Sequence, residues 1–158
     1  MRKIDRLLSE YSESHQNVTN KTIHWICVPL IFFSGIALIA SIPNGILYTI
    51  FGDLPMLNWA TVVLILAMIY YLSLSVPLSI GMLIFSVACL IAINILIKIA
   101  VAPLWSIALS IFVVAWIGQF YGHKVEGKKP SFLKDLQFLL IGPAWLMHFI
   151  YKRIGIPY

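Results

Sequence analysis

The sequence predicts an all-α membrane protein, a polytopic helical bundle, and three observations carry that prediction. Of 158 residues, 61% are hydrophobic and only 11% are charged, and the mean hydropathy is +0.94, well outside the range of soluble domains. The apolar residues fall in long runs without the alternation of a barrel strand, and in lipid such a run satisfies its backbone hydrogen bonds only as a helix. At roughly 20 residues per crossing, the chain holds four or five spans and no separate soluble catalytic module. Residues 1–158 are therefore expected to form one membrane domain.

Residues 1–16 open with an amphipathic helix. Ile4, Leu8, Tyr11 and His15 recur at helical intervals with Leu7 beside them, while Asp5, Arg6, Glu10 and Glu13 lie mostly elsewhere. Such a helix is expected to lie on the membrane surface. The segment is too polar and acidic for a secretory signal, and no small-residue cleavage site follows it, so it is expected to stay on the mature protein. Asn17, Thr19 and Asn20 offer caps for a first span over residues 20–41, which Pro43-Asn44-Gly45 ends. Residues 44–56, with Gly52, Asp53 and Pro55, read as a connecting loop.

Span two covers residues 57–75, and a tight hairpin around Pro77 leads into span three at 78–98. Lys98 and Pro103 mark the turn into span four, residues 103–122. The last apolar stretch, 132–151, is interrupted by Gly142-Pro143, whose halves are too short to cross alone. It is either a kinked span or a re-entrant helical hairpin. Lys and Arg accumulate in cytoplasmic loops. With a cytoplasmic N-terminus and four spans, Arg2, Lys3, Arg6, Lys21, Lys124, Lys128, Lys129 and Lys134 all lie inside, leaving Lys98 outside. A returning last segment adds Lys152 and Arg153 to the inner set. Four spans plus a broken, re-entrant fifth helical element is therefore the expected architecture.

The same topological bias accounts for the net charge of +5, so no nucleic-acid partner is expected. Cys27 and Cys89 sit in apolar runs without CxxC spacing and read as small buried hydrophobes. Trp59, Tyr70, Tyr71, Trp105, Trp116, Tyr121 and Trp145 fall mostly near span ends, as in an interfacial aromatic belt.

The chemistry-bearing residues converge in this topology. His15 ends the first helix, His24 lies about one turn into span one, and His123 closes span four, all near the cytoplasmic face. His148 joins them if the last segment turns back. Glu126 stands three residues after His123, on one helical face if span four continues that far, and Asn17, Asn20 and His24 follow one stripe of span one. Imidazoles and a carboxylate from separate helices form a ligand set for a redox-active first-row metal such as Fe(II), and the lack of ligating thiols argues against a cysteine-type structural zinc. A plainer reading competes: interfacial histidines, asparagines that only cap, and a solvated basic turn at KVEGKKP. Spacing alone does not choose between them, although ionisable groups in or beside spans point to function.

The pairing of HQNVTNKTIHWICVPL with WIGQFYGHKVEGKKPSFLKDLQFLLIGP resembles the family of small membrane proteins typified by the fungal 2-hydroxy fatty acid dioxygenase. The specific likeness lies in two blocks, His15 with Asn20 and His24, then Gly122-His123, Glu126 and Pro130 followed by Gly142-Pro143. The resemblance implies an Fe(II)-dependent integral membrane enzyme, in a bacterial inner membrane or the endoplasmic reticulum, that uses O2 to shorten a 2-hydroxy fatty acid by one carbon. It implies His15, His24 and His123 as metal ligands, with Glu126 as a further ligand or a partner orienting an imidazole, and Asn20 bonding a ligand or the substrate head. Lys21, Lys124, Lys128 and Lys129 could draw in the substrate carboxylate or simply reflect positive-inside bias. Two other classes stay open: a metal or proton transporter with a histidine relay, which would need polar residues at several depths, and a noncatalytic membrane scaffold.

Overall fold

A computed structural model describes residues 2–52, 57–99, 102–130 and 137–157. Among these residues all regular secondary structure is helical: α1 (Lys3–Ser12), α2 (Val18–Ala40), α3 (Gly45–Phe51), α4 (Trp59–Leu74), α5 (Val76–Ile99), α6 (Leu104–Glu126) and α7 (Phe138–Ile154). Three of them, α2, α5 and α6, are long and apolar enough to cross a membrane. The 16 residues of α4 rise about 24 Å, less than the roughly 30 Å of a bilayer core, so a fourth crossing rests on composition and not on length. Ile65, Leu66, Ile69, Ile80, Ile84, Val114 and Ile117 are all exposed, the apolar exterior of helices that face lipid.

Asn17 caps α2 as its residue type predicts, its Oδ1 accepting from the Thr19 and Asn20 backbone N–H groups at 2.8 and 3.3 Å. Residues 45–51, expected within a loop, instead form the short helix α3, ended by Gly52 at φ 74°. That φ is left-handed and suits glycine. Asp53, assigned to the same loop, lies outside the described residues, as do Ser131 and Lys134. The fourth span overruns its expected end by one turn and stops at Gly127, φ 72°, so His123 and Glu126 share one helix.

Helices α2 and α6 form the tightest pair, and two glycines one turn apart make it possible. A Cβ on Gly118 would stand 2.7 Å from Cys27 Sγ, and one on Gly122 only 2.4 Å from Asn20 Oδ1. This is the close approach that a small-xxx-small stripe permits between helices. Cys27 and Cys89 are free and buried, as small hydrophobes should be.

The break expected at Gly142-Pro143 is absent, because α7 runs unbroken through Pro143. Pro143 is only the sixth residue of the helix, where it removes one backbone bond near an end. Gly142 answers a packing demand instead, since a Cβ there would meet Tyr11 Oη at 3.0 Å and Val28 Cγ1 at 3.3 Å. The Tyr71 hydroxyl donates to the Leu140 carbonyl at 2.8 Å and the Tyr151 hydroxyl to the Pro77 carbonyl at 2.7 Å. Both ends of α7 are thus tied to the Ser75 end of the α4–α5 hairpin, and the helix lies across the bundle.

Helix α1 packs on α7. Its apolar residues Ile4, Leu7, Leu8 and Tyr11 are buried with Phe138, Ile141, Trp145 and Tyr71 in one core cluster, so the amphipathic face is covered by protein. Tyr71 and Trp145, expected in the aromatic belt, belong to this core; the crossing of α7 over the bundle end encloses them. A second cluster, around Ile36, Ala37, Leu64, Ile93 and Ala108, fills the other end.

Gly122→Ala forces its Cβ into an Asn20 side chain that is itself pinned, and overpacking of this kind costs about 1–3 kcal/mol. The thermal unfolding midpoint in detergent should fall; an unchanged midpoint contradicts the packing described.

Candidate metal centre

Three elements meet at the end of the bundle that α1 and α7 cover. The turn between α1 and α2 carries His15, the second turn of α2 carries His24, and the last turn of α6 carries His123. The three rings are 0%, 0% and 4% exposed. Their centroids lie 4.2 Å (His15–His24), 5.0 Å (His15–His123) and 4.9 Å (His24–His123) apart, edge-on to one another.

The turn that carries His15 is pinned from every side. Tyr11, one helical turn earlier, stacks on the His15 ring at 4.1 Å and 14°. Trp145 Nε1 donates to Ser12 Oγ at 2.8 Å, and the Lys128 ammonium donates to the Glu13 carbonyl at 2.6 Å. Asn20 Nδ2 donates to the Ser14 carbonyl at 3.1 Å and to Glu126 Oε2 at 3.0 Å. The Glu126 carboxylate also accepts the Gln16 and Asn17 backbone N–H groups, each at 2.8 Å. Glu126 therefore clamps the end of α6 to the start of α2 and directs both oxygens at that joint.

Hydrogen bonding fixes which ring nitrogens face inward. His15 Nδ1 bonds the Tyr11 carbonyl at 2.5 Å, and His24 Nδ1 the Asn20 carbonyl at 2.9 Å. A carbonyl only accepts, so Nδ1 carries the proton in both rings and Nε2 presents a lone pair. His15 Nε2, His24 Nε2 and His123 Nδ1 are left buried with no partner in the protein. One ligating atom from each ring comes within 4.8 Å of the others.

That arrangement fits a metal ion. Shifts of about 1 Å per ring bring a nitrogen triangle of this size to metal–nitrogen distances near 2.1 Å. Backbone carbonyls holding the opposite nitrogens are the usual outer support of histidine ligands.

His148 does not join the three. It is half-buried on α7, where it lines a small pocket with Asp5, Leu8, Ser9 and Ser12 of α1, and its expected approach depended on a chain reversal that the continuous α7 does not make. Sequence reasoning passed over Tyr11, Trp145, Gln119 and the Gly118–Gly122 pair. The last was visible as a Gly-x-x-x-Gly motif, and Tyr11 stands four residues before His15.

Beside the histidines lies an apolar cavity of about 280 Å³, bounded by Tyr11 and Gln119 near His123 and by Ile36, Ile39 and Phe112 further along the bundle. On another side, Lys21, Lys152 and Arg153 rim a second cavity floored by Trp25, Trp145 and Phe149.

Fold and site together define a helical membrane protein with a buried trio of histidines at one end of its bundle. Residues 1–154 match the family described as Mpo1-like, 2-hydroxy-palmitic acid dioxygenase Mpo1-like, and the chain belongs to that family. It is 30% identical over 153 residues, 95% of this chain and 81% of the relative, to the 2-hydroxy-palmitic acid dioxygenase MPO1 of Saccharomyces cerevisiae. No solved structure matches.

Burial holds the pKa of His15 down, at about 4 against an ordinary 6.5, so folding keeps this ring neutral. A histidine with a lowered folded pKa contributes stability that is complete above its unfolded pKa and is lost as pH falls through the folded one. In metal-free protein the unfolding midpoint should drop between pH 7 and pH 4, less steeply in His15→Gln. Equal slopes for the two proteins contradict a buried neutral His15.

Proposed function

We propose that this protein is a membrane-embedded dioxygenase that removes one carbon from 2-hydroxy fatty acids, with Fe(II) held by His15, His24 and His123. The observation that carries this reading is the convergence of three buried imidazole nitrogens, each without a partner in the protein. Membership of the Mpo1-like family and the activity named for the yeast relative support the substrate class.

An Fe(II) ion in this site would supply a redox-active centre at which O2 and the carboxylate and hydroxyl of a 2-hydroxy acid can meet. The chain's own residues prepare the place. The Tyr11 and Asn20 carbonyls hold His15 and His24 in the tautomer that offers Nε2 inward. Glu126 acts as a positioning residue, fixing the His15 turn to α2 and α6 through three accepted hydrogen bonds. Asn20 links that clamp to the Ser14 carbonyl through its Nδ2, while its Oδ1 packs against Gly122 at the α2–α6 contact. Tyr11 and Trp145 close the site against water. Lys21, Lys152 and Arg153 draw the carboxylate to this end of the bundle.

All three histidines share one level of the bundle, which favours a single centre over a relay across the membrane. We place His148 outside the ligand set.

Purified in detergent, His15→Ala, His24→Ala and His123→Ala should each lose at least tenfold in bound iron and in turnover of a long-chain 2-hydroxy fatty acid with O2. His148→Ala should retain its iron. Wild-type levels of metal and turnover in all three variants overturn the assignment.

A further inference from the structure

The apolar cavity beside His123 extends the site along the same two helices. On α6 its lining falls at Phe112, Trp116, Gln119 and His123, and on α2 it includes Val28, Phe32, Gly35 and Ile39, each set spaced as one helical face. His24 stands one turn before Val28 on that α2 face. The histidines thus form the closed polar end of a trough that becomes wholly apolar beyond Gln119.

Gly35 lines this trough on α2. It stands eleven positions after His24 on α2, about 16 Å along the axis. A Cβ built on Gly35 meets nothing within 4 Å, and its backbone needs no positive φ. Helix packing therefore does not require a glycine here, unlike at Gly118 and Gly122. The space it leaves open belongs to the cavity.

Resting on the reading of the site as a 2-hydroxy fatty acid centre, we propose that this trough binds the substrate's alkyl tail, and that Gly35 keeps it open to chains longer than about twelve carbons. The occupant follows from continuity. A ligand with one polar end and one long apolar end matches a cavity with imidazoles at one end and Ile36, Ile39 and Phe112 at the other. Trp116, two turns from His123, would then lie beside the middle of a sixteen-carbon chain.

The test replaces Gly35 by Leu, with Val114→Phe on the exposed outer face of α6 as the control. In Gly35→Leu the ratio of kcat/KM for a ten-carbon over a sixteen-carbon 2-hydroxy acid should rise at least tenfold, while Val114→Phe leaves the ratio as in wild type. A ratio unchanged in Gly35→Leu overturns the proposal. Binding is read separately from turnover, by quenching of tryptophan fluorescence with a sixteen-carbon 2-hydroxy acid dibrominated at carbons 9 and 10. The component of the quenching that disappears in Trp116→Phe should be displaced by unlabelled 2-hydroxy acid and weakened at least fivefold in Gly35→Leu. Quenching and displacement without any turnover would uphold the trough and refute the oxidation. No Trp116-dependent quenching in wild type, or equal quenching by a dibrominated phosphatidylcholine that the acid does not displace, refutes the trough.

Discussion

Three ring nitrogens, on His15, His24 and His123, are buried together with nothing in the protein to bond them, and the arrangement of this end of the bundle follows from that constraint. A buried polar group without a partner costs about 1–3 kcal/mol. Three of them amount to roughly 3–9 kcal/mol, a sum comparable with the whole stability of an ordinary domain. A fold that needed only to pack would place apolar side chains there. Instead Tyr11, Asn20, Ser12, Glu126, Lys128 and Trp145 are spent on holding one five-residue turn where its imidazole meets the other two. The expense makes sense for a site whose missing partner is a ligand.

Helices α2 and α6 serve two purposes at once. Their contact, through Asn20 and Cys27 against Gly122 and Gly118, brings His24 and His123 to one level. Beside it, at the adjoining faces, the same helices border the apolar cavity together with α1 and α7. Glycine has opposite meanings within a few turns: Gly118 and Gly122 are small because a neighbour occupies the space, and Gly35 is small with the space left open. The amphipathic substrate proposed for this site needs both a polar grip and an apolar channel, and one helix pair borders the two in sequence.

The parts of this architecture that were legible in the sequence are those governed by local spacing. Asn17 as a cap, the apolar stripe of α1, and Asn20 with His24 one turn apart are set by the helical period, whereas the covering of that stripe by α7 in place of the membrane surface is not. The gathering of His15, His24 and His123 was readable because short connections between long apolar helices return the chain to one end. Contacts across the bundle were less accessible. Nothing local tells that the Glu126 carboxylate turns to the Gln16 and Asn17 N–H groups some 110 residues earlier. Pro143 looked like a break because a proline's cost depends on how far it lies from the helix start, and that start was not evident. Tyr71 and Trp145 resembled belt residues because depth alone does not distinguish lipid from a helix laid across the bundle. Residues 45–51 form a helix whose length is below what an apolar pattern can specify.

In the proposed centre one ion is gripped by three imidazoles from α2, α6 and the turn before α2. X-ray absorption spectroscopy on the iron-loaded protein tests it most directly, because multiple scattering from imidazole rings counts histidine ligands. Three imidazole ligands in the wild type, and two on the residual iron that His24→Ala holds at saturating Fe(II), is the predicted result. A spectrum fitted by oxygen ligands alone, or one identical in wild type and His24→Ala, would contradict it.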